Sequence, residues 1–304
     1  MNPRRSLNAK TIALTSVTMA AFAANSLLGR GALAGERIDP ASFAVIRVIS
    51  GALTLYLIVA VRRGRPGGDW TGAWWLFAYM ICFAFAYLSL SAGTGALILF
   101  GAVQITMFAA GLRAGETFGR VGWLGLGLAA GGLAYLVSPG VTAPPLVGAI
   151  LMAVAGIAWG LYSLHGRGVA NPLAATAGNF LRAAPLASLA GLPFLGGAHL
   201  SPSGVSLAIA SGAIASGLGY AIWYKTLPRL KATSAATTQL SVPLIAAFGG
   251  VIFLGEGITR RLLIASIAVL GGIALVLTHR APPPGRAPPS HRSRTLIAEP
   301  RSGS

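Results

Sequence analysis

The chain has 304 residues, of which 55% are hydrophobic and only 10% charged, and its mean hydropathy is +0.72. That leaves too little polar surface to clothe a soluble core of this size, which excludes a soluble globular protein and points to an integral membrane protein. The formal charge of +17 would suggest nucleic acid in a soluble chain, but here the arginines stand between apolar runs, where membrane topology accounts for them.

The N-terminus MNPRRSLNAK is basic and leads into a full-length apolar run followed by others like it, so it reads as an uncleaved first helix and not as a signal peptide. Apolar stretches of about 20 residues, with Pro, Gly and charge clusters marking the breaks, give ten expected spans. They are 11–28, 40–61, 71–90, 94–112, 120–138, 146–164, 173–195, 204–224, 232–254 and 260–278. The segment SPGVTAPP, from Ser138 to Pro145, is the clearest break between halves. The expected organisation is a cytosolic N-terminus (1–10), a first five-helix unit (11–138), a second (146–278) and a cytosolic tail (279–304). The Pro- and Arg-rich run APPPGRAPPSHRSR in that tail cannot bury a core and is expected to be disordered.

Basic residues test the count. With the N-terminus inside, the cytosolic segments carry Arg4, Arg5, Lys10, Arg62, Arg63, Arg65, Arg113, Arg120, Arg167, Lys225, Arg229, Lys231 and the five arginines of the tail. The outer loops carry only Arg30, Arg37, Arg260 and Arg261, which supports ten helices with both termini cytosolic.

A repeat runs through the chain. Residue n lies over n+140 for Ala92 and Ala232, Ala96 and Ala236, Phe108 and Phe248, Gly115 and Gly255, Glu116 and Glu256, and Arg120 and Arg260. At an offset of 137, Ser26, Leu27, Gly29 and Arg30 lie over Ser163, Leu164, Gly166 and Arg167. Five spans per unit is an odd number, so the two copies are expected to be inverted relative to each other, with a substrate path between them.

These features resemble the EamA-type drug/metabolite transporter family, on the strings NSLLGR, FAVIR, RAGETFGR and VPLIAAFGGVIFLGEGIT, and over Thr11 to Thr278. The last string carries a proline, Pro243, about a dozen residues before the GE of Glu256; the first half has Val103 or Thr106 where such a proline would stand. Within the family the general look is nearest to bacterial amino-acid exporters of the YddG type. The resemblance implies an all-α monomer in the bacterial inner membrane, its ten helices forming two inverted repeats. The first, third, fourth, sixth, eighth and ninth helices would ring a central cavity, and the fifth and tenth would pack outside it.

Enzymatic signatures are missing. Lysine occurs only at 10, 225 and 231, so no Walker A loop can be written, and there is no HExxH or CxxC. The lone Cys82 offers neither a disulfide framework nor a thiolate metal site, and no cofactor, metal or nucleic acid is expected. GLGLAAGG, Gly125 to Gly132, lies inside an apolar span and reads as helix packing through Gly127 and Gly131. No acid falls in the middle of a span, where a desolvated carboxylate would serve proton coupling, so facilitated diffusion or exchange is the expected mode.

Arg47 and Arg182 lie inside spans, where an arginine costs at least about 2.5–3.5 kcal/mol on insertion scales. Arg182 is a candidate for attracting a substrate carboxylate; Arg47 is read as snorkelling to the outer surface or capping helix carbonyls. The other candidate substrate-binding residues are Asn25, Tyr79, Phe83, Gln104, Trp159, Tyr162, Tyr220 and Gln239, since transport sites want apolar walls with a few orienting polar groups. Trp70, Trp74, Trp75, Trp123, Trp223 and Tyr224 are expected in an interfacial belt. Pro185, Pro193 and Pro243 are expected to allow bending inside spans. Glu116 and Glu256 fall at opposite membrane faces, where each would cap the next helix or pair with Arg120 or Arg260.

The expected function is a secondary transporter that exports small amphipathic metabolites, amino acids with aromatic or apolar side chains among them, by alternating access. Its partners would be a small-molecule substrate and membrane lipid. A drug or nucleotide-sugar transporter of the same family, and a non-transporting membrane scaffold, are the alternatives.

Overall fold

The computed structural model describes residues 9–230 and 237–278, which form a succession of helices joined by short loops. Lys231, Ala232, Ala236, the N-terminal arginines and the tail 279–304 lie outside the described residues. The helices are α1 (Ala9–Leu33), α2 (Pro40–Val61), α3 (Trp70–Ala86), α4 (Ala92–Arg113), α5 (Arg120–Val137), α6 (Leu146–His165) and α7 (Pro172–Gly191). After them come α8 (Pro202–Arg229), α9 (Thr237–Leu254) and α10 (Arg260–Thr278). Among the described residues, nine helical segments are long and apolar enough to cross a membrane; α3 is apolar but shorter.

The boundaries follow from local chemistry. Asp39, Asp69, Ser91, Asn171 and Ser201 cap α2, α3, α4, α7 and α8 by accepting the amide of the residue three positions on. Proline follows the cap at α2, α7 and α8, where its missing N–H costs nothing. Asp69 starts α3 at Trp70, and the helix ends at Ala86, four residues short of the expected span. In the seventh span, Pro193 falls just past the α-helix, in a 3₁₀ turn over Leu192–Gly197, so it ends the helix where bending inside it was expected.

Within α8 the run Ala210–Leu218 winds as a π-helix. Its small residues admit close neighbours: a side chain at Gly212 would meet the Arg47 carbonyl, and one at Gly217 would meet Thr54 2.8 Å away. The run SGAIASGLG therefore lies close against α2. In a π-helix the hydrogen bonds run i→i+5, and Ser211 and Ser216, five apart, both donate to Asn25 Oδ1, at 2.8 and 3.3 Å.

Helix pairing shows a regular exchange. α1 packs on α8 and α9, and α6 packs on α3 and α4; α2 packs on α8, and α7 on α3. Advancing each label by five turns one pair into another, while α2·α7, α4·α9 and α5·α10 map onto themselves. Two further details repeat: Gly115 and Gly255 both have positive φ, at +82° and +66°. The amides of Glu116 and Glu256 donate back to the carbonyls of Gly111 and Gly250, each at 3.0 Å.

The α5–α10 seam is built from small residues, but not from the glycines expected. Gly127 and Gly131 face open space. Gly125 and Gly132 meet the partner: a Cβ on Gly125 would lie 2.5 Å from the Gly272 carbonyl, and one on Gly132 2.8 Å from the Ala268 Cβ. The spacing marked the helix as a packing helix, whereas the face used depends on where α10 lies. We predict that Gly125→Leu destabilises the protein by about 1–3 kcal/mol through overpacking, while Gly127→Leu leaves the thermal midpoint in detergent within about 1 °C. Equal losses for both would argue against this seam.

Candidate functional site

Between the halves lies a cavity of about 650 Å³, well within the 300–1,000 Å³ typical of small-molecule sites. α1 contributes Phe22; α4 contributes Val103, Gln104 and Met107; α6 contributes Trp159, Tyr162 and Ser163. α7 adds Thr176 and Asn179, α8 adds Tyr220, Trp223 and Tyr224, and α9 and α10 add Gln239 and Leu277. The mouth is ringed by Asp69, His165, Arg167, Pro172 and Leu227, all at the end of the bundle where α1 begins.

Five of the nine candidate substrate residues therefore stand in the cavity wall: Gln104, Trp159, Tyr162, Tyr220 and Gln239. Asn25, Tyr79 and Phe83 line a second, water-sized chamber of about 20 Å³ deeper in the bundle, which shares Trp159, Tyr220 and Gln239 with the main cavity. The helices around this chamber are α1, α3, α4, α6, α8 and α9, the set expected around a central cavity. In the wider cavity the wall also includes α7, which was not among the helices expected around it, and Leu277 of α10, a helix expected to pack outside it.

An aromatic floor separates the two spaces. Trp159 stacks on Tyr220, with centroids 5.4 Å apart and planes at 17°, and meets Tyr79 at 5.0 Å. Tyr79 continues into Phe83 at 5.6 Å, and Phe22 packs on Tyr220 at 5.7 Å. Polar groups are few and are linked. Tyr162 donates to Thr176 Oγ1 at 3.1 Å, Thr176 donates to Tyr224 at 3.1 Å, and Asn179 reaches the Tyr162 hydroxyl at 3.5 Å. Pro243 has no amide to offer the Gln239 carbonyl one turn earlier, which leaves polar backbone beside a cavity-lining side chain.

Several expectations need correction. Arg182 does not line the cavity: its Nη1 donates to the carbonyls of Gly67 at 2.7 Å and Gly178 at 3.0 Å, pinning the α2–α3 loop to α7. The approach there is close enough that a Cβ on Gly178 would overlap the Gly67 carbonyl. Trp223 and Tyr224 belong to the cavity and not to an interfacial belt, whereas Trp70, Trp74 and Trp123 are exposed, as that belt requires. Arg47 does not snorkel. It is 0% exposed, donates from Nη2 to the Tyr79 hydroxyl at 3.0 Å, and stacks over Phe83 at 4.3 Å from the ring centroid.

The other end is closed. Arg30 pairs with Glu256 at 3.1 Å and donates to the carbonyls of Tyr87 and Leu88 at 3.1 and 3.0 Å. Glu256 Oε2 accepts the amide of Ala92, the first residue of α4, at 2.8 Å. Glu256 therefore caps a helix of the other half instead of the helix that follows it, and its ionic partner is Arg30, not Arg260. The following helix is capped by Thr259, whose Oγ1 accepts the Leu262 amide at 3.1 Å. It is the neighbouring arginine, Arg261, that closes the end of α5, donating to the Leu136 and Ser138 carbonyls. At the same end of the bundle Asp39 accepts the His199 amide, and Ile38 bridges to Leu200. Glu116 and Arg120 are both exposed, at the opposite end.

At the mouth, Asp69 accepts from Gly72 at 2.8 Å and lies 2.7 Å from His165 Nε2, while Asn179 accepts the Asp69 amide at 3.0 Å. The Gly72 amide first, and then His165, hold the Asp69 carboxyl below its usual range. The sequence reading missed Asp69, His165, Thr176 and Tyr224; the N-cap position of Asp69 before a tryptophan-rich helix was the one available signal.

The architecture accords with the known proteins this chain is similar to. A family model described as the EamA-like transporter family matches residues 146–278. A Pseudomonas aeruginosa protein described as uncharacterized is 53% identical over 282 residues, covering 91% of this chain and 97% of its own length. The chain belongs to the EamA-like transporter family. A crystal structure with a TM-score of 0.62 and 19% identity covers 88% of this EamA chain and 99% of its own, and shows the same fold. The family is one of multi-pass membrane transporters, not enzymes.

Because Asp69 titrates low in the folded protein, the stability it adds is full above about pH 4, its ordinary value, and is lost as pH falls through its depressed folded value. We predict that Asp69→Asn lowers the thermal midpoint at neutral pH and that the gap from wild type narrows below about pH 4. A gap that stays constant on acidification would argue against this role.

Proposed function

We propose that the protein is a secondary transporter of the bacterial inner membrane with both termini cytosolic. On this reading it carries small amphipathic metabolites outward, among them amino acids with aromatic or apolar side chains. The observation that carries this reading is a cavity of about 650 Å³ with aromatic walls, sparse uncharged polar groups, one open end and one sealed end. A wall of that kind takes an apolar body by stacking and orients it with a few hydrogen bonds. Its weak hold suits a carrier that must also release.

Alternating access between two inverted five-helix repeats fits the exchange of helix pairs between the halves. The open end carries most of the arginines of the loops, which on the positive-inside rule makes it cytosolic and the state inward-facing. The repeat lays Glu256 over Glu116 and Arg30 over Arg167. In the outward-facing state, the equivalent contact at the cytosolic end is then Arg167 with Glu116. Arg167 now stands at the mouth, its Nη2 3.5 Å from Met107 Sδ. Without a carboxylate inside a span, the reading favours exchange or facilitated diffusion over proton coupling.

Counterflow of labelled amino acids, nucleotides and cationic dyes in proteoliposomes tests the substrate class. We expect flux of tryptophan, phenylalanine and leucine, reduced about tenfold or more by Trp159→Ala; flux of the dyes or nucleotides alone would replace this reading. Glu256→Gln should open the sealed end, raising maleimide labelling of a cysteine placed at Ser26 from that side. A Cys pair at Arg167 and Glu116 should cross-link only while substrate turns over. Cross-linking at the same rate without substrate would sink the exchange of contacts.

A further inference from the structure

Arg47 is an unusual cation. Its side chain is wholly buried, a guanidinium cannot shed its proton, and among the described residues no carboxylate pairs with it. Of its five N–H donors, one bonds the Tyr79 hydroxyl at 3.0 Å, and Nε and Nη1 have no partner at all. Phe83 and Tyr79 hold it by cation–π contact, at 4.3 and 5.3 Å from their centroids. Glu256, the half-buried acid at the sealed end, is engaged by Arg30 and the Ala92 amide.

Tyr79 and Phe83 are also two walls of the small chamber beneath the aromatic floor. Arg47 thus stands directly behind a space divided from the main cavity by Trp159, Tyr220 and Gln239, which line both. An isolated buried charge with unsatisfied donors is costly unless something compensates it, and among the described residues none supplies an anion there.

We propose that Arg47 is the charge partner of the transported molecule: a compact monoanion, a carboxylate, enters the chamber and pairs with Arg47 as the Tyr79 hydroxyl moves off Nη2. The substrate's apolar body stays above, against Trp159 and Tyr220. This deepens the transporter reading and rests on it. A carboxylate suits the site because a planar fork of N–H donors pairs with it in two parallel bonds. A dianionic phosphate does not suit it, because among the described residues no second cation lines the chamber; Arg182, the other arginine inside a span, is spent on backbone carbonyls.

The test is ligand-induced thermal shift and binding on the full-length protein in detergent, with two matched probe pairs: phenylalanine against phenylalaninamide, and phenylacetate against phenylacetamide. In the wild type each acid should bind at least about tenfold more tightly than its amide. In Arg47→Gln that preference should fall to within about twofold, and Arg47→Lys should recover part of it. Preference that survives in a folded Arg47→Gln variant overturns the proposal and leaves the transporter reading standing. Acid preference confined to phenylacetate, abolished in Arg47→Gln, supports the Arg47 site and removes amino acids as the cargo. Should Arg47→Gln fail to fold, the wild-type comparison still decides: amides that stabilise as well as acids overturn the proposal.

Discussion

One carboxylate joins the two halves at the sealed end. Glu256 sits just beyond Gly255, whose positive φ turns the end of α9 back on itself. From there it reaches both Arg30 at the end of α1 and the first free amide of α4. An unpaired amide at a helix start and an unpaired arginine beside a membrane each cost free energy; a single acid satisfies both. Because Arg30 also holds the carbonyls that end α3, four helix ends meet at one charge.

The interior between the two ends divides according to chemistry. The wide cavity is lined by ring faces and by a short chain of hydroxyls, Tyr162, Thr176 and Tyr224. The narrow chamber beneath is lined by Tyr79, Phe83, Leu99 and Phe100, with Asn25, itself tied to Ser211 and Ser216, among its walls. The π-helical run in α8 is what aligns those two serines, and its glycines let the same run lie against Arg47's own backbone. The helix that shapes the chamber therefore also positions the helix carrying its buried charge.

Substitution at these places acts through different physical terms. At Gly125 the constraint is space, at Asp69 it is a carboxylate held ionised by an amide and an imidazole, and at Arg47 it is a charge with nothing to neutralise it. On the proposal made for Arg47, only the last bears on which molecules the protein accepts.

Much of the frame was legible in the residues. Hydropathy, breaks marked by Pro, Gly and charge clusters, and the n+140 match of GE strings indicated the spans and the likeness of the halves, because these depend on local composition and on period alone. Gln104, Trp159, Tyr162, Tyr220 and Gln239 were readable as wall residues, being polar or amphipathic side chains at depth on an apolar helix. Facing and partnership were not readable. Which glycines of α5 meet α10, whether Arg47 or Arg182 keeps an unused charge, and that Glu256 caps a helix of the other half all depend on how helices distant in the chain are rotated against each other. That rotation is set by the sum of many contacts across the interface, and no local stretch of sequence carries it.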